Sequence, residues 1–153
     1  MTPFWSRSAS PRRFLARDER ERVSAAIRDA ESGTSGEIRV HVERHGKGEP
    51  LDHARALFAQ LGMTATTRRN GVLLYVALAD HRFAIFGDEG IHALVGDAYW
   101  EAIRDRLAEQ FAAGVFCDGI CEAVARVGEV LRASFPRETG DVNELSDEPS
   151  LGE

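Results

Sequence analysis

The chain has 153 residues and a formal charge of −6, with 19 basic side chains against 25 acidic ones. This length fits one domain. A content of 43% hydrophobic and 29% charged residues is typical of a packed core and excludes a fully disordered or collagen-like chain. The acidic balance argues against nucleic acid as a partner, because binding to phosphates needs a basic surface.

The charge is concentrated at the two ends of the chain. Residues 137–153 carry a net charge of −5, and residues 1–13 carry +3. Both ends have the polar composition of solvated segments. The sequence therefore predicts a flexible segment over 1–13, a folded domain over 14–136 and an acidic tail over 137–153. We find no signal-peptide core and no transmembrane segment, so we expect a soluble, cytoplasmic protein.

The first half of the folded region alternates between helix and strand patterns. Apolar residues recur at helical spacing over residues 14–32, which predicts a first helix. Over residues 38–43, apolar and polar residues alternate, which predicts a strand with one buried face. Asp52 is placed to cap a second helix that ends at Gly62.

A hairpin follows. The apolar run GVLLYVALA, residues 71–79, predicts a central strand covered on both faces. A tight turn at Asp80 and His81 then returns the chain as an antiparallel third strand with the sequence RFAIFGDEG. This order of elements predicts an α/β fold built on a small mixed β-sheet.

The last third of the chain reads as two helices. An apolar stripe follows Asp97, which is placed to cap the first of them, and Gly114 stands where a C-terminal glycine is expected. Asp118 is placed to cap the last helix, which Pro136 ends.

Two cysteines, Cys117 and Cys121, lie one helical turn apart in the last helix. No His or Cys follows them at the spacing of a zinc site. We therefore favour reduced thiols in the core over a metal or redox role.

The predicted topology brings carboxylates to one edge of the sheet. If the first two strands are parallel and the third returns antiparallel, then the starts of the first two and the end of the third meet there. Glu37, Asn70 and Asp88 would gather at this edge, and Asp97 would fold back onto it. Carboxylate and amide oxygens suit Mg²⁺ or Ca²⁺. We predict that Glu37, Asp88 and Asp97 hold one divalent cation, with Asn70 beside them.

The same edge is rich in glycine, which lets the backbone approach an anion closely. A helix that begins near Ile91 would direct N–H groups at a phosphate. The residues predicted to bind a phosphate-containing small molecule are Asn70, Gly71, Gly87 and Gly90. Each predicted site residue also has a purely structural interpretation, as a helix cap, a turn residue or a solvated strand end.

The opposite edge of the sheet is the weaker candidate, because charged residues at a hairpin turn are usually solvated surface. Its residues are Arg44, His45, Asp80, His81 and Arg82. The chain contains neither a P-loop nor a G-x-S-x-G elbow. Any phosphohydrolase activity would therefore depend on an ion rather than on a covalent nucleophile.

Several segments, in this order, resemble the TPM domain family, and in particular its small soluble bacterial members. They are TSGEIRVHVE, RNGVLLYVAL, RFAIFGDEGI, VGDAYW, a last helix ending in FP, and DVNEL. The family includes thylakoid lumenal proteins, photosystem II repair factors and a receptor modulator. The resemblance implies a Rossmann-like sandwich with helices on both faces, divalent-metal binding, and phosphatase or nucleotide-phosphate hydrolase activity in some members. Where many relatives read glycine, aromatic, glycine, leucine, glutamate, glycine, this chain has GDEG.

Two functions stay open. The first is a metal-binding domain with weak phosphatase or nucleotide-phosphate hydrolase activity. The second is a non-enzymatic interaction or assembly module, in which the ion is structural and the acidic tail binds a basic protein partner.

Overall fold

A four-stranded mixed sheet lies at the centre of the computed structural model, which describes residues 9–137 and 149–152. The elements in chain order are α1 (Pro11–Phe14), α2 (Arg17–Glu31), β1 (Glu37–Glu43), α3 (Pro50–Gln60), β2 (Gly71–Ala77), β3 (Arg82–Gly87), α4 (Glu89–Ala112), α5 (Phe116–Ser134) and β4 (Ser150–Leu151). The strand order is β3-β2-β1-β4. β1 runs parallel to β2 and β4, and β3 runs antiparallel to β2. The predicted α/β class is confirmed.

Helices cover both faces of this sheet, because successive strand residues point to opposite sides. On one face, α2, α4 and α5 build a large core with alternate strand residues such as Val40 and Leu74. On the other face, Phe58 of α3 joins Leu73 and Tyr75 in a second core. Every residue of β2 is buried as a result, which confirms the predicted central strand and the sandwich.

Two of the predicted helix caps are wrong. α3 begins at Pro50 and α5 at Phe116, so Asp52 and Asp118 lie inside the first turns of these helices. Proline suits a first helical position because its fixed φ is already helical and it has no N–H to satisfy. An aspartate in a first turn still interacts favourably with the positive end of the helix dipole.

The cap predicted at Asp97 is also wrong, but the helix predicted to begin near Ile91 is observed, and one helix, α4, spans both positions. This helix begins at Glu89, eight residues before Asp97, with Asp88 as its N-cap. Gly96, at φ 74° and ψ 176°, interrupts the helix, and Asp97 begins the second half. In the sequence this glycine indicates a loop that precedes a new helix, but in the structure the residues on both sides of it are helical.

The remaining helix boundaries largely follow the predictions. The first predicted helix divides into α1 and α2. Gly62 and Gly114, with φ values of 74° and 79°, come directly after the C-caps of α3 and α4, as predicted. Within the described ranges, no helix has both the length and the apolar character needed to cross a membrane.

The C-terminal end adds a strand that the sequence did not predict. β4 pairs with β1, with Ser150 opposite His41, and the N–H of Gly152 donates to the carbonyl of Val42 at 2.7 Å. The Nδ1 atom of His41 lies 2.7 Å from the hydroxyl of Ser150. Residues 1–8, 138–148 and 153, which include most of the predicted acidic tail, lie outside the described residues.

The two cysteines lie on α5 as free thiols, with Cys117 buried and Cys121 partly buried. The thiol of Cys117 is 3.7 Å from the carbonyl oxygen of Glu19 on α2. Burial raises the pKa of Cys117 to about 12 and also raises the pKa of Cys121. Both thiols are therefore kept in their unreactive protonated form.

We expect both native thiols to react slowly with iodoacetamide near pH 8. Since the thiolate is the nucleophile and each unit of pKa removes about tenfold of it, alkylation of Cys117 should be at least about tenfold slower in the native chain than in denaturant. Mass spectrometry of timed samples measures both rates. Equal rates in the two states would contradict the burial described here.

Candidate functional site

The predicted meeting of three strand ends at one sheet edge is observed. Glu37 at the start of β1 lies opposite Gly71 at the start of β2. Gly87 at the end of β3 lies opposite Val72. The N–H of Asp88 then donates to the carbonyl of Gly71 at 2.9 Å, which extends the β2–β3 ladder to the first residue before α4.

An ion pair between Arg69 and Asp88 dominates this edge. The Nε and Nη2 atoms of Arg69 donate to the two carboxylate oxygens of Asp88 at 2.7 and 2.9 Å. One of these oxygens also accepts the N–H of Glu89, the first residue of α4, at 2.8 Å. The hydrogen bond to Asp88 raises the pKa of Arg69. Both oxygens of Asp88 are thus engaged by the protein itself.

Arg69 is absent from the predicted site residues. It lies in the loop before β2 with a left-handed backbone, at φ 51°, a conformation that is uncommon for a residue with a side chain. Its partner is 19 residues away in sequence. The available signal in the sequence was a pair of arginines, Arg68 and Arg69, directly before Asn70 and Gly71.

Two of the predicted ligand-binding glycines are needed for close packing. A β-carbon on Gly90 would lie 2.1 Å from the carbonyl oxygen of Arg68, and the N–H of Gly90 donates to the carbonyl of Arg69 at 2.8 Å. A β-carbon on Gly87 would lie 2.3 Å from the indole ring of Trp100. Contact of these glycines with a ligand stays a prediction. The N–H groups of Glu89 and Gly90, however, already have acceptors within the chain.

Asn70 and Glu37 lie on the inner side of the edge. Both residues are buried. The amide nitrogen of Asn70 donates to the hydroxyl of Ser35 at 3.1 Å, and the N–H of Asn70 donates to the hydroxyl of Thr66 at 3.2 Å. Among the described residues, the side-chain oxygen of Asn70 has no hydrogen-bond partner. A buried acceptor of this kind is costly, and it would suit a cation or a hydrogen-bond donor.

A cleft of about 870 Å³ opens along β3, between α3 and α4. Three of the predicted site residues, Gly87, Asp88 and Asp97, line it. The side chain of Asp97 is 89% exposed, and its Oδ1 atom is 3.6 Å from Nε2 of His92. The charged and titratable residues that line the cleft are Glu49, Arg55, Arg69, Asp88, Glu89, His92, Asp97, Glu101 and Arg104.

The three predicted metal ligands do not form one ligand set. Asp88 is engaged by Arg69, Glu37 is buried behind the edge, and Asp97 projects into the cleft. No group of three His, Cys, Asp or Glu side chains in the described part of the chain is arranged to hold a metal ion. Carboxylate oxygens suit a hard cation, but in the structure these three carboxylates do not surround a common point.

The residues at the opposite edge hold a loop in place. One oxygen of Asp80 is 2.8 Å from Nδ1 of His45, and the other accepts the N–H of Gly46 at 2.8 Å. These contacts, the Gly46 amide first, hold the pKa of Asp80 below its usual value. His81 has the positive φ of a turn residue, at 54°, and Arg82 begins β3.

Sequence reasoning also missed a partly buried polar cluster beside α3. Glu43 accepts hydrogen bonds from the hydroxyl of Tyr75 at 2.6 Å and from Nε2 of His53 at 2.7 Å. Burial and this carboxylate raise the pKa of Tyr75. The alternation in β1 predicts that His41 and Glu43 face solvent. Nothing in the sequence pattern predicts the contact between the His53 and Tyr75 rings on this face.

We expect Asp88→Ala to lower the free energy of unfolding by about 1–2 kcal/mol, because it removes an N-cap and leaves Arg69 without its main partner. Glu89→Ala is the matched control. The Glu89 side chain is 73% exposed, and its contact with Arg69 is longer, at 3.4 Å. The effect of Glu89→Ala on the free energy of unfolding should therefore be much smaller. Urea unfolding of the two variants measures both effects, and similar losses would show that Asp88 has no special role.

Comparison with known proteins supports the fold and the family. The family model described as the TPM domain matches residues 10–130. Among solved structures, the chain is similar to the BA42 protein of the psychrophilic bacterium Bizionia argentinensis, with 40% identity and a TM-score of 0.82 over 91% of this chain and 96% of that one.

Two further solved domains have the same fold. The N-terminal domain of a P. gingivalis protein is 25% identical, with a TM-score of 0.67 over 79% of this chain and 78% of that one. The N-terminal domain of a Corynebacterium glutamicum protein is 14% identical, with a TM-score of 0.62 over 85% of this chain and 81% of that one. No curated protein sequence gives a significant match. On the family model and the BA42 likeness, the chain belongs to the TPM domain family.

Proposed function

We propose that this TPM domain binds a divalent cation, Mg²⁺ or Ca²⁺, in the cleft between α3 and α4, and that it weakly hydrolyses phosphate esters there. The observation that carries the proposal is the lining of the cleft. Carboxylates that suit a hard cation and guanidinium groups that suit a phosphate surround the same space. The cation contributes charge neutralisation and polarisation of the phosphoryl group when bound.

Asp97 is the best placed of the proposed cation ligands. Asp97 and Glu101 are one helical turn apart on α4, and both line the cleft. A hydrated Mg²⁺ is commonly held by one or two carboxylates together with water and phosphate oxygens. Glu37 and Asn70 would support the site from the buried side of the sheet edge.

Arg69 links phosphate binding to Asp88. Its side chain is 41% exposed at the cleft, and a guanidinium binds phosphate in the same two-pronged way as it binds a carboxylate. A phosphate that recruits Arg69 would free one oxygen of Asp88, while the other would still accept the N–H of Glu89. Asp88 would then be able to serve as a ligand in the complex although it is engaged in the free chain.

His92 supplies a defined proton at the cleft. The indole N–H of Trp100 donates to Nδ1 of His92 at 3.0 Å. Because an indole N–H can only donate, Nδ1 must be the unprotonated nitrogen. The proton of neutral His92 therefore lies on Nε2, the atom 3.6 Å from Asp97, where it can donate to a phosphate oxygen.

A second function, a non-enzymatic interaction module with a structural ion, is favoured by a specific observation. Both oxygens of Asp88 already have partners, so the free chain holds no assembled catalytic centre at this edge. In this alternative the acidic tail, most of which is outside the described residues, binds a basic protein partner.

Cation binding is tested by titrating the chain with MgCl₂ and CaCl₂ and following amide NMR shifts. We expect the largest shifts around Asp97 and Glu101, and a cation affinity that falls roughly tenfold in Asp97→Asn, since ligand charge sets affinity in such sites. Asp105→Asn is the control, because Asp105 is an exposed carboxylate on the same helix outside the cleft. Equal affinities of the two variants would exclude a cation at Asp97.

Turnover of p-nitrophenyl phosphate and ATP, with and without Mg²⁺, separates the two functions. The first function predicts slow turnover that needs Mg²⁺ and is lost in Arg69→Met, with Arg68→Met as control. Cation binding without turnover would support the interaction module instead. Turnover that persists in Arg69→Met would contradict the proposed phosphate contact.

A further inference from the structure

β3 is an outermost strand of the described sheet. Its outer edge, the long side that faces away from β2, presents backbone groups that form no hydrogen bonds within the sheet. In an antiparallel pair, residues alternate between hydrogen-bonded and non-hydrogen-bonded positions. The N–H of Asp88 donates to Gly71, which fixes the phase of this alternation. Phe83, Ile85 and Gly87 therefore direct their N–H and C=O groups away from β2.

No backbone group in the described part of the chain pairs with these groups. β3 is the last strand on its side of the described sheet. The described residues outside the sheet make no backbone hydrogen bond to Phe83, Ile85 or Gly87. An unpaired strand edge of this kind is a template for pairing with another strand.

The edge forms the floor of the cleft. Residues 83–87 line it, with Leu51 and Arg55 of α3 on one side and Trp100 and Arg104 of α4 on the other. Five strand residues span roughly 14 Å, so the floor matches an extended segment of about five or six residues. Leu51 is 42% exposed and offers an apolar contact on the α3 side.

We propose that the outer edge of β3 binds an extended peptide segment of a partner protein, which adds to the sheet as a further strand between α3 and α4. Such strand addition draws its affinity from main-chain hydrogen bonds and its specificity from alternate side chains. The proposal concerns an interaction and requires neither the cation nor hydrolysis.

Charge in the cleft favours a segment in which basic residues alternate with apolar ones. Among the described residues that line the cleft, carboxylates outnumber arginines. With the Arg69–Asp88 pair set aside, the charged and titratable lining residues are four carboxylates, two arginines and one histidine. Asp97 and Glu101, on the α4 side, are placed to meet basic side chains, while the apolar side chains between them would face Leu51 on the α3 side.

A second copy of this chain fits the edge less well. Two helices flank β3, so a whole folded domain has less access to it than a single extended strand. Each chain also carries a net charge of −6, and pairing β3 with β3 would bring two acidic clefts together. Both features favour a separate basic strand.

The test uses the unaltered chain and a capped hexapeptide of alternating lysine and valine. We expect the peptide to shift the amide signals of Phe83, Ile85 and Gly87 most strongly and to slow their hydrogen exchange. The matched control is the same peptide with alternate amides N-methylated, which keeps charge and composition but removes the donors on one edge. Its affinity should be at least about tenfold lower, since several main-chain hydrogen bonds are lost.

A change in the protein provides a second readout. The doubly neutralised variant Asp97→Asn with Glu101→Gln should bind the lysine-valine peptide several-fold more weakly, while Asp105→Asn should bind it as the unaltered chain does. Equal affinity for the methylated and unmethylated peptides would overturn the proposal, because binding would then be purely ionic. Shifts confined to the β1–β4 edge, or β3 shifts that arise from dimerisation without peptide, would also overturn it.

Discussion

The ion pair between Arg69 and Asp88 is the contact on which the rest of this sheet edge depends. It joins the loop before β2 to the N-cap residue of α4. The backbone follows the same connection, because Asp88 donates to Gly71 and Gly90 donates to Arg69. Gly90 has no side chain where Arg68 approaches, so the loop and the helix can come this close. The position of α4, and with it one wall of the cleft, is set here.

The same contact controls what chemistry the edge can perform. A carboxylate with both oxygens satisfied is a stable helix cap but a poor metal ligand, since a cation would have to displace a guanidinium. The predicted ligands are divided accordingly, with Glu37 and Asn70 buried and Asp97 exposed. In the free chain Asp88 therefore acts as a structural residue. A phosphate that binds Arg69 in place of Asp88 would leave Asp88 able to bind a cation, so the same residue would have both a structural and a functional role.

The central part of the fold could be predicted from the sequence because its signals are local. The apolar run 71–79, the turn after it and the alternation in β1 specify the strands, and strand order follows from parallel and antiparallel pairing. The meeting of Glu37, Gly71 and Gly87 at one edge followed from that topology and is observed.

The parts that sequence reasoning missed depend on contacts between distant residues. Arg69 meets Asp88 across 19 residues, and a two-residue strand such as β4 has no periodicity of its own. Gly96 resembles a helix break although the helix resumes after it. Glu43 is polar on a strand that alternates, and only the buried contacts of Tyr75 and His53 show that its face is covered.

The most direct test of the central contact is a double-mutant cycle with Arg69→Met, Asp88→Asn and the double variant, each unfolded in urea. If the two side chains act as one unit, each single change lowers the free energy of unfolding. The double variant should then be little less stable than the less stable of the two single variants. Losses that simply add would mean that Arg69 and Asp88 stabilise the chain independently, which would contradict the role given to their pairing.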